Sequence, residues 1–138
     1  MTASAMVFAF LLWQGADCRS CDVLADMATS LSANEGWRFM ERIDKSTPGY
    51  EDLALKVNAL TAQDDIVCSL DVLQEDGAAD RIEALVDWYM DLTTRNDASP
   101  QERRRRRVKV VLRKFGKDWR VVEIDPLSIL DPMRIQKN

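Results

Sequence analysis

From Asp22 to Leu31 the apolar positions Val23, Leu24, Met27, Ala28 and Leu31 recur at spacings of three and four, the signature of one stripe on a helix. Asn34 is placed to cap a second, shorter helix in which Trp37, Met40 and Ile43 line up while Glu35, Arg38, Glu41 and Arg42 face outward. That helix is expected to end near Asp44. Ser46 to Tyr50 then forms a turn, because Pro48 disfavours a helical Thr47 and Gly49 relaxes the chain. A third helix follows, with Tyr50, Leu53, Ala54, Val57, Leu60 and Thr61 inward and Glu51, Asp52, Lys56 and Asn58 toward solvent.

After Gln63 the period changes from three-and-a-half to two. Ile66, Cys68, Leu70 and Val72 alternate with Val67, Ser69 and Asp71, which predicts a strand to about Gln74, and Glu75 to Ala79 with Gly77 reads as a turn. The next run sets Ile82, Ala84, Val86, Trp88, Met90 and Leu92 on one face and Glu83, Asp87 and Asp91 on the other, a long half-buried strand. Asn96 to Gln101 connects it to a third strand that carries Val108, Val110 and Leu112 inward and Arg107, Lys109 and Arg113 outward. Gly116 and Lys117 make a two-residue hairpin turn, and Trp119 to Ile124 forms the closing strand, ended by Pro126. Helices first and strands after predict an α+β fold, with N-terminal helices packed against the concave face of a curved antiparallel sheet.

The run Arg103 to Arg107 invites a nucleic-acid reading. Strand pairing competes with it. Setting Trp88 opposite Val108 pairs Val86 with Val110 inside, and pairs Asp91 with Arg105, Asp87 with Lys109 and Glu83 with Arg113 outside. Such cross-strand ion pairs help to select a register. Arg103, Arg104 and Arg106 are left over as a candidate anion patch near the loop. No aromatic residues interleave with the run and the net charge is -4, so bulk nucleic-acid binding is disfavoured.

The helix from Trp37 to Ile43, the Pro48-Gly49-Tyr50 turn and the ending RRVKVVLRKFGKDWRVVEIDP, Arg106 to Pro126, together resemble the nuclear-transport-factor-two-like superfamily, a cone-shaped fold related to the cystatin-like folds. The resemblance spans about Asp22 to Leu130. It implies a sheet wrapped around the helices with a pocket at the open end of the cone. It also implies a choice among ketosteroid isomerase-like or polyketide cyclase-like enzymes, dehydratases, and non-catalytic ligand-binding or dimerising domains. The dehydratase type uses a histidine, and this chain has none. The expectation is a non-catalytic domain that binds a small hydrophobic ligand or forms a homodimer through the outer sheet face. An isomerase or lyase is the alternative.

For that alternative the candidate catalytic residues are Glu123 and Tyr50. The tight Gly116-Lys117 turn pairs Leu112 with Val121 and Val110 with Glu123, turning an acid inward where burial would raise its pKa. A β-bulge that turns Glu123 out is the competing possibility. Trp37, Met40, Tyr50, Cys68, Trp88, Met90 and Trp119 are candidate pocket residues, or plain core. No cofactor is expected, and no metal: Cys18 and Cys21 form a CxxC with neither a second pair nor a histidine, and read as flexible N-terminal thiols. Residues 1–20 are read as a signal-like or flexible segment, 21–131 as the domain, and 132–138 as a polar tail. Ala5 to Trp13 has the length of a signal-peptide apolar region but no preceding Lys or Arg, so exported and cytoplasmic locations both stay open. It is too short to span a bilayer as a helix.

Overall fold

The computed structural model describes residues 18–95 and 101–133; the apolar N-terminal stretch lies outside them. Three helices come first: α1 (Cys21–Ser32), α2 (Gly36–Glu41) and α3 (Tyr50–Gln63). Four strands follow, β1 (Asp64–Gly77), β2 (Arg81–Thr94), β3 (Gln101–Phe115) and β4 (Asp118–Asp125), and then a 3-10 turn at Leu127–Leu130. The sheet is antiparallel in the order β1-β2-β3-β4. Ile43 adds a single parallel bridge beside Val121 of β4. The fold class is the α+β arrangement the periodicities predict.

Val23, Leu24, Met27 and Leu31 of α1 and Leu53, Val57 and Leu60 of α3 are buried against the inner row Ile82, Ala84, Val86, Trp88, Met90 and Leu92 of β2. Helix α2 departs from expectation. Its buried stripe is Gly36, Phe39, Met40 and Ile43, while Trp37 is 62% exposed. Gly36 explains the rotation, since a Cβ there would stand 2.9 Å from Thr61 Oγ1 of α3. Asn34 does not cap the helix. It adopts a left-handed conformation with φ 60°, and Glu35 occupies the cap position. Gly49 (φ 77°) and Gly116 (φ 65°) sit where positive φ is required, at the start of α3 and in the β3–β4 turn.

Between β2 and β3 the observed register lies two residues from the expected one. Val86 faces Val108, Ala84 faces Val110, and Trp88 faces Arg106. A second difference is that β3 begins at Gln101, so the whole arginine run is strand.

Asp26 of α1 fastens α2. Its two oxygens accept from Arg38 Nη2 (2.9 Å) and Arg42 Nε (2.8 Å). The Arg42 hydrogen bond, with the positive charges of Arg42 and Arg38, holds the Asp26 carboxyl below its ordinary pKa. A lowered carboxylate contributes stability that is present above its unfolded pKa and lost as pH falls through the folded one. Asp26→Asn is therefore expected to cost about 1 kcal/mol at neutral pH. In denaturant titrations the loss should shrink as pH falls below the ordinary carboxylate range and through the lowered folded value. An equal cost at neutral and acid pH would assign the effect to packing instead.

Candidate functional site

The inner face is filled by the side chains expected to line a pocket. Trp88 and Met90 are fully buried, and Phe39 of α2 meets Trp88 edge to face with ring centroids 6.4 Å apart. Met40 is buried with them. Cys68 is half-buried on the inner face of β1, where desolvation pushes its thiol up to about 12; its backbone N–H donates to Ser32 Oγ (3.0 Å). Trp119 packs against the core margin with the Arg19 guanidinium 5.5 Å above its ring. Trp37 is exposed and does not join this group.

Of the two possibilities for Glu123, the structure takes the bulge. Leu112 faces Val121 and Val111 faces Glu123, so Val122 is the extra residue on β4 and Val110 faces Ile124. Glu123 thus joins the outer side, 45% exposed and paired with Lys109 Nζ at 3.0 Å. It lines a cleft of about 380 Å³ along the β4 edge with Ile43, Thr47, Pro48 and Leu127. Tyr50 lines a different hollow, with Lys45, Gly49 and Glu51. The two candidate catalytic residues are not brought to one pocket.

The carboxylate that does turn inward is Asp64, the first residue of β1 and 1% exposed. Neither of its oxygens has a hydrogen-bond partner among the described residues. Desolvation raises its pKa, and the charges of Arg104 and Arg95 only partly oppose this. It shares the inner face of β1 with Ile66 and Cys68, so the alternation extended back by two residues contains the signal. The helix period running to Gln63 hid it.

The expected anion patch is divided by strand alternation. Arg103 lies on the outer face 3.7 Å from Asp91. Arg104 points inward, donating from Nε to Glu102 (2.6 Å) and from Nη1 to the Ile129 carbonyl (2.8 Å). Arg106 reaches Ser128 Oγ at 3.3 Å. Arg104, Arg105 and Arg106 line a groove of about 470 Å³ with Glu102, Ser128 and Asp131, three guanidinium groups against two carboxylates.

The outer face sorts its charge by strand. Rows across the sheet run Val67–Asp91–Arg103, Ser69–Tyr89–Arg105 and Asp71–Asp87–Arg107. The β1–β2 half thus presents Asp65, Asp71, Asp87 and Asp91, and the β3 half Arg103, Arg105, Arg107 and Lys109. Arg105 bridges the halves, donating from Nη2 to Asp87 at 2.8 Å, and holds the Asp87 carboxyl below its ordinary pKa. Its side chain stays 72% exposed. Among the described residues Arg107 and Asp71 make no ion pair. Val67 and Leu73 stand exposed beside them on β1.

This arrangement of helices and sheet matches solved structures over most of the chain. The chain has the nuclear-transport-factor-two-like fold. A conserved protein from Planctomyces limnophilus aligns with TM-score 0.71 at 8% identity, covering 80% of this chain and 93% of that one. A nuclear transport factor 2-like superfamily protein from Salmonella enterica aligns with TM-score 0.61 at 13% identity, covering 83% and 89%. A Caulobacter vibrioides protein with a cystatin-like fold gives TM-score 0.58 at 15% identity, covering 78% and 88%. At these identities the likeness concerns the fold alone. No protein-family model matches the sequence, and no curated protein matches it. Among the described residues no helix is long and apolar enough to cross a membrane, and no group of His, Cys, Asp and Glu is placed to hold a metal ion.

Proposed function

We propose that this chain is a non-catalytic assembly domain that pairs with a second copy of itself through the outer face of its sheet. The observation that carries the reading is the division of that face into acidic β1–β2 positions and a basic β3 stripe. A two-fold axis lying along β2 lays β3 of each copy over β1 of the other, with opposite charges facing, while β2 meets β2, where Arg105 and Arg103 already pair with Asp87 and Asp91. Arg107 of one copy then stands over Asp71 of the other, and neither charge has an ion pair among the described residues. Val67, Leu73 and the half-buried Tyr89 supply apolar and aromatic surface among the charges.

Charge reversal tests it. Arg107→Asp and Asp71→Arg are each expected to weaken self-association at least about tenfold, near 1.4 kcal/mol. The double reversal should restore most of the loss. Analytical ultracentrifugation over a concentration series reads the result, and a monomer at every concentration for the unaltered chain would end the proposal.

A second reading, a small-molecule isomerase or lyase, is favoured by Asp64, a buried carboxylate with raised pKa of the kind that serves as acid or base. Asp64 takes in it the place expected for Glu123. Turnover of a panel of hydrophobic carbonyl compounds that disappears in Asp64→Asn would support it. Absence of turnover at any pH from 5 to 9 would remove it.

A further inference from the structure

The motif that self-association leaves unused is Cys18-Arg19-Ser20-Cys21. Cys18 and Cys21 are joined by a disulfide, and Cys21 is the first residue of α1. The segment is no loose end. The Glu75 carboxylate of β1 accepts from the backbone N–H groups of Arg19 (3.2 Å) and Ser20 (3.0 Å) and from Ser20 Oγ (2.5 Å). Arg19 Nη1 donates to the Ala78 carbonyl (2.8 Å), and its guanidinium covers Trp119. These contacts clasp the start of α1 to the β1–β2 turn and to the first residues of β4. Both cysteines are partly exposed, unlike Ser20 between them, which is buried.

A four-residue ring restrains little of the unfolded chain, so most of what holds this domain together does not depend on the bond. The two sulfurs are also unequal. Cys18 Sγ lies 3.8 Å from Glu75 Oε2, whose charge disfavours a thiolate there. Cys21 opens a twelve-residue helix, where the backbone dipole favours a thiolate, with Asp22 acting the other way. We propose that Cys18–Cys21 is a reversible dithiol–disulfide couple whose reduction by a small dithiol, or by a protein dithiol of the same chemistry, loosens the clasp on α1 while the domain stays folded.

The exchange runs through Cys18. A thiolate of the reductant bonds to Cys18 Sγ, the Sγ–Sγ bond breaks, and its electron pair leaves on Cys21, the better leaving group, which then takes a proton. The second thiol of the reductant, once deprotonated, attacks the reductant's own sulfur in the mixed disulfide and releases Cys18, which is protonated. The reductant ends as its disulfide, and the protein has gained two electrons and two protons.

The test uses the full chain carrying Cys68→Ser, so that only two thiols report. It is equilibrated in buffers of varied reduced-to-oxidised dithiothreitol ratio and read by alkylation with mass spectrometry and by amide hydrogen exchange. The expected result is one two-electron transition with far-ultraviolet circular dichroism unchanged, and exchange about tenfold or more faster at Arg19 and Ser20 and through Ala78 to Arg81. Limiting iodoacetamide should mark Cys21 before Cys18, and Glu75→Gln should speed alkylation of Cys18. A Cys18→Ser/Cys21→Ser chain should show the reduced exchange pattern under oxidising conditions. A disulfide that resists dithiothreitol until the domain unfolds would overturn the proposal, and so would reduction that leaves those amides as protected as before.

Discussion

Trp88→Ala is expected to lower the unfolding free energy by about 3–5 kcal/mol, the range for deleting a large aromatic from a packed core. Trp88 has no exposed surface, meets Phe39 edge to face, and sits on the inner face of β2 in the cluster that also holds buried residues of all three helices. The neighbours that would have to collapse into the space belong to different elements, so relaxation should be partial. For a domain near this size the melting temperature should drop by more than about 10 °C. Trp88→Phe is the informative companion. It leaves a smaller void but also removes an indole Nε1–H that is buried with no partner among the described residues. Those two effects oppose each other, and the net loss should stay below about 1.5 kcal/mol. Urea midpoints with constant slope would read both variants. A loss under about 1 kcal/mol for Trp88→Ala would mean that Trp88 lines a ligand space and is not core.

Asp64→Asn should move stability the other way. Burial raises the pKa of Asp64 in the folded chain, so the folded state binds its proton more tightly than the unfolded state does. Stability from this group is then greatest below its unfolded pKa and declines as pH rises toward the raised folded value, the reverse of Asp26. The buried carboxyl has no hydrogen bond among the described residues, so its charged form is the costly one. Removing the charge while keeping the shape should raise neutral-pH stability by about 1–3 kcal/mol and flatten the falling limb of the profile. A loss of stability at pH 7 would show that Asp64 is satisfied by charge, with Arg104 and Arg95 as its partners in place of hydrogen-bond donors. The expected gain bears on function as well, because a residue that costs stability where an amide would serve better is the kind kept for chemistry.

The fastening of α2 through Asp26 and the pairing of charge on the outer face are both undone at the acid end of the pH scale. Asp26 and Asp87 both have lowered carboxyl pKa values, through hydrogen bonds from Arg42 and Arg105 respectively. Acid therefore weakens the α1–α2 contact and leaves the arginines of β3 without counter-charges. The proposed self-association through that face is expected to fail in acid before the core does, since the inner row of β2 carries no titratable side chain.

Much of this fold was legible in the sequence because side-chain periodicity is local. Spacings of three and four gave α1 and α3 within a residue or two, alternation placed Ile82 through Leu92 inside, and Gly116-Lys117 marked the last hairpin. The order of those elements, with the closing hairpin, was enough to point to the nuclear-transport-factor-two-like fold. What the sequence left open was decided by contacts between elements. Alternation has a period of two, so shifting β3 by two residues against β2 keeps Val108 and Val110 inside and still sets arginines among aspartates; only the assembled sheet selects Val86 opposite Val108. One extra residue at Val122 turned Glu123 out to Lys109, and a glycine pressed against α3 turned Trp37 to solvent. Asp64 ended up buried because the start of β1 passes beneath neighbours distant in sequence, and Cys18 met Cys21 in a segment held by Glu75 on another strand. Local pattern determined which faces exist. Tertiary packing decided which side chains meet across them, because those meetings depend on bulges, registers and close approaches that no single segment contains.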